Sequence, residues 1–142
     1  MRLLAVDFGE KRIGMAVSDE AGAVVVPVGA VERKSDEQAV AEIAAAARER
    51  GVSGIVVGHP HRAGGVETLL ARRARNFARR LAEASGLPVD LHGEALTSRA
   101  ADEALDAAGV SGNRQRRARD AEAAAALLRD YLFERRSGPG GP

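Results

Sequence analysis

Cysteine and tryptophan are absent from the 142-residue sequence, and aromatic residues make up only 3% of it. Without cysteine, the chain cannot have a disulfide scaffold, a thiol nucleophile or a Cys-ligated zinc site. A bound metal would have to use oxygen or imidazole ligands, which favours hard ions such as Mg²⁺ or Mn²⁺. Because aromatics are so few, the core has to be built mainly from Ala, Val, Leu and Ile.

Long apolar runs are also absent, because no stretch approaches the roughly 18 apolar residues that a membrane helix needs. The first apolar run, at residues 3–6, ends at Asp7 and is too short for a signal-peptide core. We therefore expect a cytoplasmic protein without membrane contact. The length and the 45% hydrophobic content fit a globular chain. We expect a single domain at residues 1–136 and a disordered, Gly/Pro-rich tail at 137–142.

Lysine is scarce as well, since it supplies two of the 21 basic residues, and the net charge is only +1. The arginines are concentrated in two clusters that contain no acidic residue. Planar guanidinium groups suit phosphate recognition, so the clusters indicate a polyanionic partner; the alternative is that each is a solvated helix face. The clusters consist of Arg72, Arg73, Arg75, Arg79 and Arg80, and of Arg114, Arg116, Arg117 and Arg119.

The spacing of apolar residues changes along the chain from a strand period to a helix period. Three apolar segments within residues 3–31, the first two joined by a turn at 9–11, predict an antiparallel meander. Pro27 and Gly29 predict an irregular third strand near a sheet edge. The patterns that follow predict helix 35–51, strand 54–58, a helix ending at 86, strand 89–91, helix 97–108 and helix 113–136. These elements predict an α/β domain with a mixed five-stranded sheet, three antiparallel strands and then two parallel ones, flanked by helices.

Three acidic residues occupy positions typical of a site at a sheet edge. Asp7 ends the first strand, Glu94 follows the last strand, and Asp120 lies on the apolar stripe of the final helix. Taken singly, Asp7 and Glu94 are better explained as ordinary turn and loop residues. For Asp120 the alternative is a buried salt bridge to a neighbour such as Arg116 or Arg117. Together the three can converge, and converging carboxylates repel one another unless a divalent cation lies between them.

Such a cation would activate a water molecule for phosphodiester cleavage, and the arginine clusters could hold the phosphate backbone. The residues therefore predict a nuclease in which Asp7, Glu94 and Asp120 are catalytic and bind one or two Mg²⁺ or Mn²⁺ ions. We expect the first hairpin and both clusters to contact the nucleic acid, although the hairpin cations are equally explained as solvated turn residues. The expected contacts are Lys11, Arg12, Arg72, Arg73, Arg114, Arg116 and Arg117.

The sequence resembles the YqgF family of RuvC-like proteins over residues 1–136. Four motifs carry the resemblance: DFG and KRIGMAVSD from Asp7, IVVGHP from Ile55, EALTS from Glu94, and DAEAAAALLRDYL from Asp120. Members of this family are described as pre-16S ribosomal RNA nucleases or Holliday junction resolvases. The resemblance implies a ribonuclease-H-like fold and a metal-dependent nuclease that matures the 5′ end of pre-16S ribosomal RNA in the cytoplasm. It carries the family's acidic residues onto the same three carboxylates.

The chain departs from the family pattern in three places. His59 replaces a leucine, the loop at 62–65 lacks the usual Asn and Asp-Gly, and the residues flanking Glu94 are Gly93 and Ala95 instead of Asp and Arg. Two alternatives to an RNA nuclease therefore stay open. A Holliday junction resolvase would cut branched DNA and should be a homodimer, because a junction requires two symmetric incisions. A nucleic-acid-binding protein that has lost catalysis need not bind manganese.

The three histidines, His59, His61 and His92, lie near predicted strand ends. Histidine can serve as a metal ligand or general base near neutral pH, but we interpret each of the three as an ordinary loop residue. The Asp-x-Gly hairpin is also similar to the phosphate-binding opening of sugar kinases and actin-like ATPases. Those proteins clasp a nucleotide between two such domains, whereas this chain has the length of one.

Overall fold

The computed structural model describes residues 1–60, 68–94, 109 and 112–137. Within these ranges the chain forms one five-stranded sheet and three helices. The predicted helix at 97–108 and the tail beyond residue 137 lie outside the described residues. The strands are β1 (Leu3–Asp7), β2 (Arg12–Ser18), β3 (Val25–Glu32), β4 (Gly54–Pro60) and β5 (Val89–Glu94), and the helices are α1 (Asp36–Glu49), α2 (Leu69–Ser85) and α3 (Asn113–Ser137).

The sheet has the strand order β3-β2-β1-β4-β5, which confirms the mixed topology. β1, β2 and β3 pair antiparallel, and β4 and β5 extend the sheet in parallel with β1. The irregular third strand is also confirmed: β3 lies at the edge, and its register shifts where Met15 faces Gly29 but Ala16 faces Pro27. One residue of β3, Val28, is therefore left over as a bulge.

Local capping explains where the first two helices begin and end. Ser35 and Gln38 form a capping box at the start of α1. Thr68 caps α2 by accepting a hydrogen bond from the backbone N–H of Ala71. α2 ends at Gly86, whose φ of 71° is the left-handed conformation that glycine adopts without strain. The boundaries predicted from sequence for these two helices are therefore confirmed to within a few residues.

The two faces of the sheet are packed differently. α1 and α2 cover one face with large aliphatic and aromatic side chains, among which the rings of Phe8 and Phe77 lie 5.0 Å apart between centroids. α3 covers the other face over a layer rich in alanine, in which Ala5, Ala16 and Ala124 are fully buried. Because these side chains are small, α3 can pack close to the sheet.

The closest approach of α3 to the sheet is at Gly14 in β2. A Cβ atom added to Gly14 would lie 1.9 Å from the backbone carbonyl oxygen of Asp120. No real contact is this short, so only glycine fits at position 14 without moving the helix. Gly14 is also the partner of Asp7 in the β1–β2 ladder. The close approach therefore brings the first strand end and the acidic residue of α3 to the same place.

We predict that Gly14→Ala lowers the free energy of unfolding by about 1–3 kcal/mol, because the added methyl group must push α3 away from β2. Denaturant unfolding followed by circular dichroism measures this change. Gly112→Ala is the matched control, since nothing lies within 4 Å of a Cβ added there; it should cost at most about 1 kcal/mol. Equal effects of the two substitutions would contradict the close approach.

The C-terminal half of α3 is tied to β5 by Tyr131, the single tyrosine of the chain. Its hydroxyl donates a hydrogen bond of 2.8 Å to the carboxylate of Asp90. Burial, and then the hydrogen bond and negative charge of Asp90, raise the pKa of Tyr131 above its ordinary value of 10.0. The neutral phenol is therefore the form that the folded state prefers.

We predict that absorbance titration of tyrosinate gives a pKa above 10.0 for the folded protein. The chain has no tryptophan to interfere with this signal. Since the folded pKa is raised, the stabilisation is complete below pH ~10 and is lost as the pH rises toward the folded pKa. Asp90→Asn should lower the folded pKa toward that of the unfolded chain; an unchanged value would show that Asp90 has no part in the shift.

Candidate functional site

Asp7 is a carboxylate at the end of a buried strand. It is only 8% exposed and shares the α3 face of the sheet with Leu3 and Ala5, as strand alternation predicts. Asp7 lies beside Gly14, over which the backbone of Asp120 passes. A buried carboxylate is costly unless hydrogen-bond donors or cations compensate it. This position therefore suits a group that binds a positive charge.

Asp120 is the second carboxylate of the site and lies in the first half of α3. Nε of Arg12 donates a hydrogen bond of 2.7 Å to Oδ2 of Asp120, and the two side chains are 10% and 25% exposed. The alternative predicted from sequence is a salt bridge of Asp120 to Arg116, Arg117 or a neighbour, and it does not anticipate the ion pair with Arg12 of β2. The reason is the close packing at Gly14, two residues along β2 from Arg12 and on the same face.

Arg117 lies one turn before Asp120 but points to β3. Its guanidinium group donates hydrogen bonds of 3.1 Å to Glu32 and 2.7 Å to the carbonyl oxygen of Ala30. The sequence prediction placed Arg12 and Arg117 on the nucleic acid. Both side chains have protein partners, and Arg12 is largely buried beside Asp120. For a nucleic-acid strand to reach these two arginines, it would have to approach the sheet edge closely.

Glu94 is the last residue of β5, where it registers with Pro60 of β4. β1, β4 and β5 run in parallel, so their carboxyl ends lie along one edge of the sheet. By strand alternation Glu94 occupies a position on the same face as Asp90, which contacts α3 through Tyr131. The structure thus brings the backbones of Asp7 and Asp120 to Gly14 and places the backbone of Glu94 at the same edge, two strands away.

The two arginine clusters lie on opposite sides of the sheet. The five arginines of the first cluster are all exposed on the outer side of α2, which packs on the face opposite α3. Arg73 reaches the hairpin after β1 and forms an ion pair of 3.1 Å with Glu10. In the hairpin Lys11 is exposed, and at the start of α3 Arg114 is exposed and Arg116 is partly buried. Exposed cations on both faces of the sheet therefore border the edge at which the carboxyl ends of β1, β4 and β5 lie.

His92 is a residue whose environment the sequence interpretation missed. It lies within β5, its side chain is only 10% exposed, and its Nε2 atom is 2.8 Å from Oδ2 of Asp130. The interpretation of His92 as an ordinary loop residue is therefore wrong, and so is that of His59, which lies in β4 and pairs with Gly93. The signal was the alternation in β5, where the polar residues Asp90 and His92 share one face. His61 lies outside the described residues.

Comparison with known sequences identifies the family of the chain. The model of the RuvX family, described as Holliday junction resolvase, matches residues 1–134. A protein of Anaeromyxobacter dehalogenans strain 2CP-C named "Putative pre-16S rRNA nuclease" is 45% identical over 135 residues, which are 95% of this chain and 98% of that protein. A protein of the same name from Syntrophus aciditrophicus is 41% identical over 132 residues, covering 93% and 88%. These matches confirm the resemblance seen in the four motifs.

Comparison with solved structures confirms the ribonuclease-H-like fold. The structure of RuvC from Thermus thermophilus matches with a TM-score of 0.55 and 17% identity, covering 96% of this chain and 97% of that one. The same protein in complex with a Holliday junction substrate matches with a TM-score of 0.56 and 18% identity, covering 95% and 96%. Among the described residues, no helix is both long and apolar enough to span a membrane.

We predict that Arg12 and Asp120 are coupled by about 1–3 kcal/mol in a double-mutant cycle of Arg12→Gln and Asp120→Asn, measured by denaturant unfolding. The pair is largely shielded from solvent, so its attraction is weakly screened. The matched control is the cycle of Arg73→Gln and Glu10→Gln, because those side chains are 44% and 65% exposed; its coupling should be about 0.2–1 kcal/mol. A coupling for Arg12 and Asp120 no larger than the control would show that the ion pair is not formed in solution.

Proposed function

The chain belongs to the RuvX family, and from this premise we propose that it is a divalent-metal-dependent nuclease that hydrolyses RNA. Its proposed reaction is the maturation of the 5′ end of pre-16S ribosomal RNA in the cytoplasm. The catalytic and metal-binding residues that we propose are Asp7, Glu94 and Asp120. Support for the RNA substrate comes from relatives at about 40% identity that are named pre-16S rRNA nucleases.

The proposal is supported by the positions of Asp7 and Asp120, whose backbones both lie beside Gly14. Asp7 is the ladder partner of Gly14, and the backbone carbonyl of Asp120 lies over Gly14 on the face that α3 covers. Glu94 ends a parallel strand at the same edge. Open α/β sheets bind their ligands at the carboxyl ends of strands, and this edge has the acidic residues that such a site requires.

The donor set fits a hard divalent cation. Carboxylate oxygens are the ligands that Mg²⁺ and Mn²⁺ prefer, and the site offers no thiolate because the chain has no cysteine. The low exposure of Asp7 and the ion pair of Asp120 with Arg12 indicate that this region stabilises negative charge with a nearby cation. We propose that Asp7, Asp120 and Glu94 hold one or two ions, which would supply a Lewis acid and an activated water for phosphodiester hydrolysis.

The protein's own cations would hold the substrate at this edge. Lys11 in the hairpin after β1 is exposed, and Arg12 lies beside Asp120. α1 begins four residues after the end of β3 at this edge, so its N-terminus adds partial positive charge there. Phosphate groups could therefore be bound from the hairpin, from Arg72 and Arg73 in the first turns of α2, and from the first two turns of α3 at Arg114, Arg116 and Arg117.

Branched DNA is the second candidate substrate. The family model is described as Holliday junction resolvase, and the fold matches RuvC in complex with such a junction. A resolvase makes two symmetric incisions, so this function requires a homodimer that forms in solution or on the junction. RNA is favoured because the RuvC match is at 18% identity, whereas the pre-16S rRNA nucleases match at 41–45%.

We predict that the protein cleaves a labelled pre-16S RNA fragment in the presence of Mg²⁺ or Mn²⁺, and that Asp7→Asn and Asp120→Asn each lower the rate at least about a hundredfold. The assay includes a four-way DNA junction of equal length and an EDTA-treated sample. Circular dichroism confirms that each variant is folded. The loss is expected because each substitution removes an anionic ligand while the side-chain volume is preserved.

The matched control is Glu122→Gln, which removes an exposed carboxylate two residues from Asp120 on the outer side of α3. Its activity should equal that of the unchanged protein. Cleavage of the junction alone would overturn the RNA assignment in favour of the resolvase. Binding of RNA with no cleavage under any metal would support the non-catalytic alternative that Gly93 and Ala95 suggest. Full activity of Asp7→Asn would contradict the site itself.

A further inference from the structure

A second group of potential metal ligands lies where the C-terminal half of α3 meets β5. It consists of His92 on β5 and of Asp130 and Glu134 on α3. Nε2 of His92 is 2.8 Å from Oδ2 of Asp130, and Nδ1 of the same ring is 3.5 Å from Oε2 of Glu134. One ligand atom from each of the three residues lies within 4.8 Å of the other two. The two carboxylates face different nitrogens of the ring, so a single ion could contact all three side chains once one of the exposed carboxylates turned toward the other nitrogen.

The charge of this group is poorly compensated. Asp130 and Glu134 are one helical turn apart, and like charges at this spacing destabilise a helix. In the part of the chain that the structure describes, the polar contacts recorded for both carboxylates are with His92, not with any of the arginines. Two carboxylates sharing one imidazole leave negative charge that a cation would neutralise.

The His92 ring is held in place by its neighbours, whereas the carboxylates of Asp130 and Glu134 can move; a site that admits an ion needs both. The ring of His92 is buried and packs edge-on against Tyr131, with ring centroids 5.4 Å apart and an interplanar angle of 88°. Tyr131 is itself held by Asp90. The imidazole is therefore a fixed ligand. Asp130 and Glu134 are 60% and 63% exposed, so they can open to admit an ion between themselves and the ring at little cost.

We propose that His92, Asp130 and Glu134 bind one Zn²⁺ ion, with water completing the coordination. An imidazole nitrogen with two carboxylate oxygens suits a borderline ion such as Zn²⁺, whereas Mg²⁺ prefers an all-oxygen environment. The site is distinct from the nuclease site, because Asp130 lies ten residues, or about 15 Å, beyond Asp120 along α3. The inference does not rest on the proposed function.

The bound ion would join two elements that are far apart in sequence. β5 contributes the imidazole and α3 contributes both carboxylates, so the ion would fasten the end of the helix to an edge strand of the sheet. An ion that binds the folded chain and not the unfolded one stabilises the fold in proportion to the logarithm of its concentration. Zn²⁺ should therefore raise the midpoint of thermal unfolding.

The test is titration of the full chain with ZnCl₂, followed by isothermal calorimetry and by thermal unfolding. Asp7→Asn/Asp120→Asn is the parent protein for every measurement, so that binding at the proposed nuclease site does not contribute. We expect one Zn²⁺ per chain and an increase in the unfolding midpoint. Asp130→Asn and Glu134→Gln should each weaken binding at least about tenfold, because each removes one anionic ligand. Both side chains are exposed, so both variants should fold.

The matched control is again Glu122→Gln, which removes an exposed carboxylate of the same helix and should leave Zn²⁺ affinity unchanged. Titration with CoCl₂ adds an optical readout, since four-coordinate Co²⁺ absorbs visible light far more strongly than hydrated Co²⁺, and His92→Gln should reduce the absorbance to that of hydrated Co²⁺. The proposal is overturned if the parent protein binds no Zn²⁺, or if Asp130→Asn and Glu134→Gln bind it as tightly as Glu122→Gln. Failure of the nuclease assay would leave these measurements unaffected.

Discussion

The contact between the backbone of α3 and Gly14 is the constraint on which the arrangement of this molecule depends. The backbone carbonyl oxygen of Asp120 lies 1.9 Å from the position that a Cβ atom on Gly14 would take. This contact fixes the distance between α3 and the sheet. Because that distance is short, the layer between them is rich in alanine. The contact also brings the backbone of Asp120 close to the end of β1, because the same glycine is the ladder partner of Asp7. A single small residue therefore links the packing of the fold to the geometry of its candidate site.

Charge compensation differs between the two halves of α3. Near the carboxyl edge of the sheet, Asp120 is paired with Arg12, a strong and permanently charged partner at 2.7 Å. Toward the other end of the helix, the one partner that Asp130 and Glu134 have among the described residues is the imidazole of His92. A guanidinium group neutralises a carboxylate at any physiological pH, whereas an imidazole does so only when protonated. The first half of α3 thus carries its own counter-charge, and the second half has a place for an added one.

Much of the fold could be predicted from the sequence because its signals are local. Alternating apolar residues indicated the strands, and Pro27 and Gly29 indicated the irregular edge strand, where a bulge is found. The partner of Asp120 could not be predicted in this way, because Arg12 lies 108 residues away and the pairing depends on the approach at Gly14. His92 was misread for a related reason. Its sequence position near a strand end resembles a loop, and only the register of β5 against β4 and the crossing of α3 show that the ring is enclosed.

β5 connects the two acidic regions, and this has a mechanical consequence. His92 and Glu94 are two residues apart on one strand and occupy positions on the same face of the sheet. α3 contributes Asp120 at one end of the crossing and Asp130 and Glu134 at the other. The contacts of Asp90 and His92 on β5 with Tyr131 on α3 therefore also restrict the distance between the end of β5 and the helix that carries Asp120. Because a strand and a helix are each stiff over such short lengths, restraining them at one point restrains them at the other. The alignment of the proposed catalytic carboxylates is in this sense maintained from a position about 15 Å along the helix.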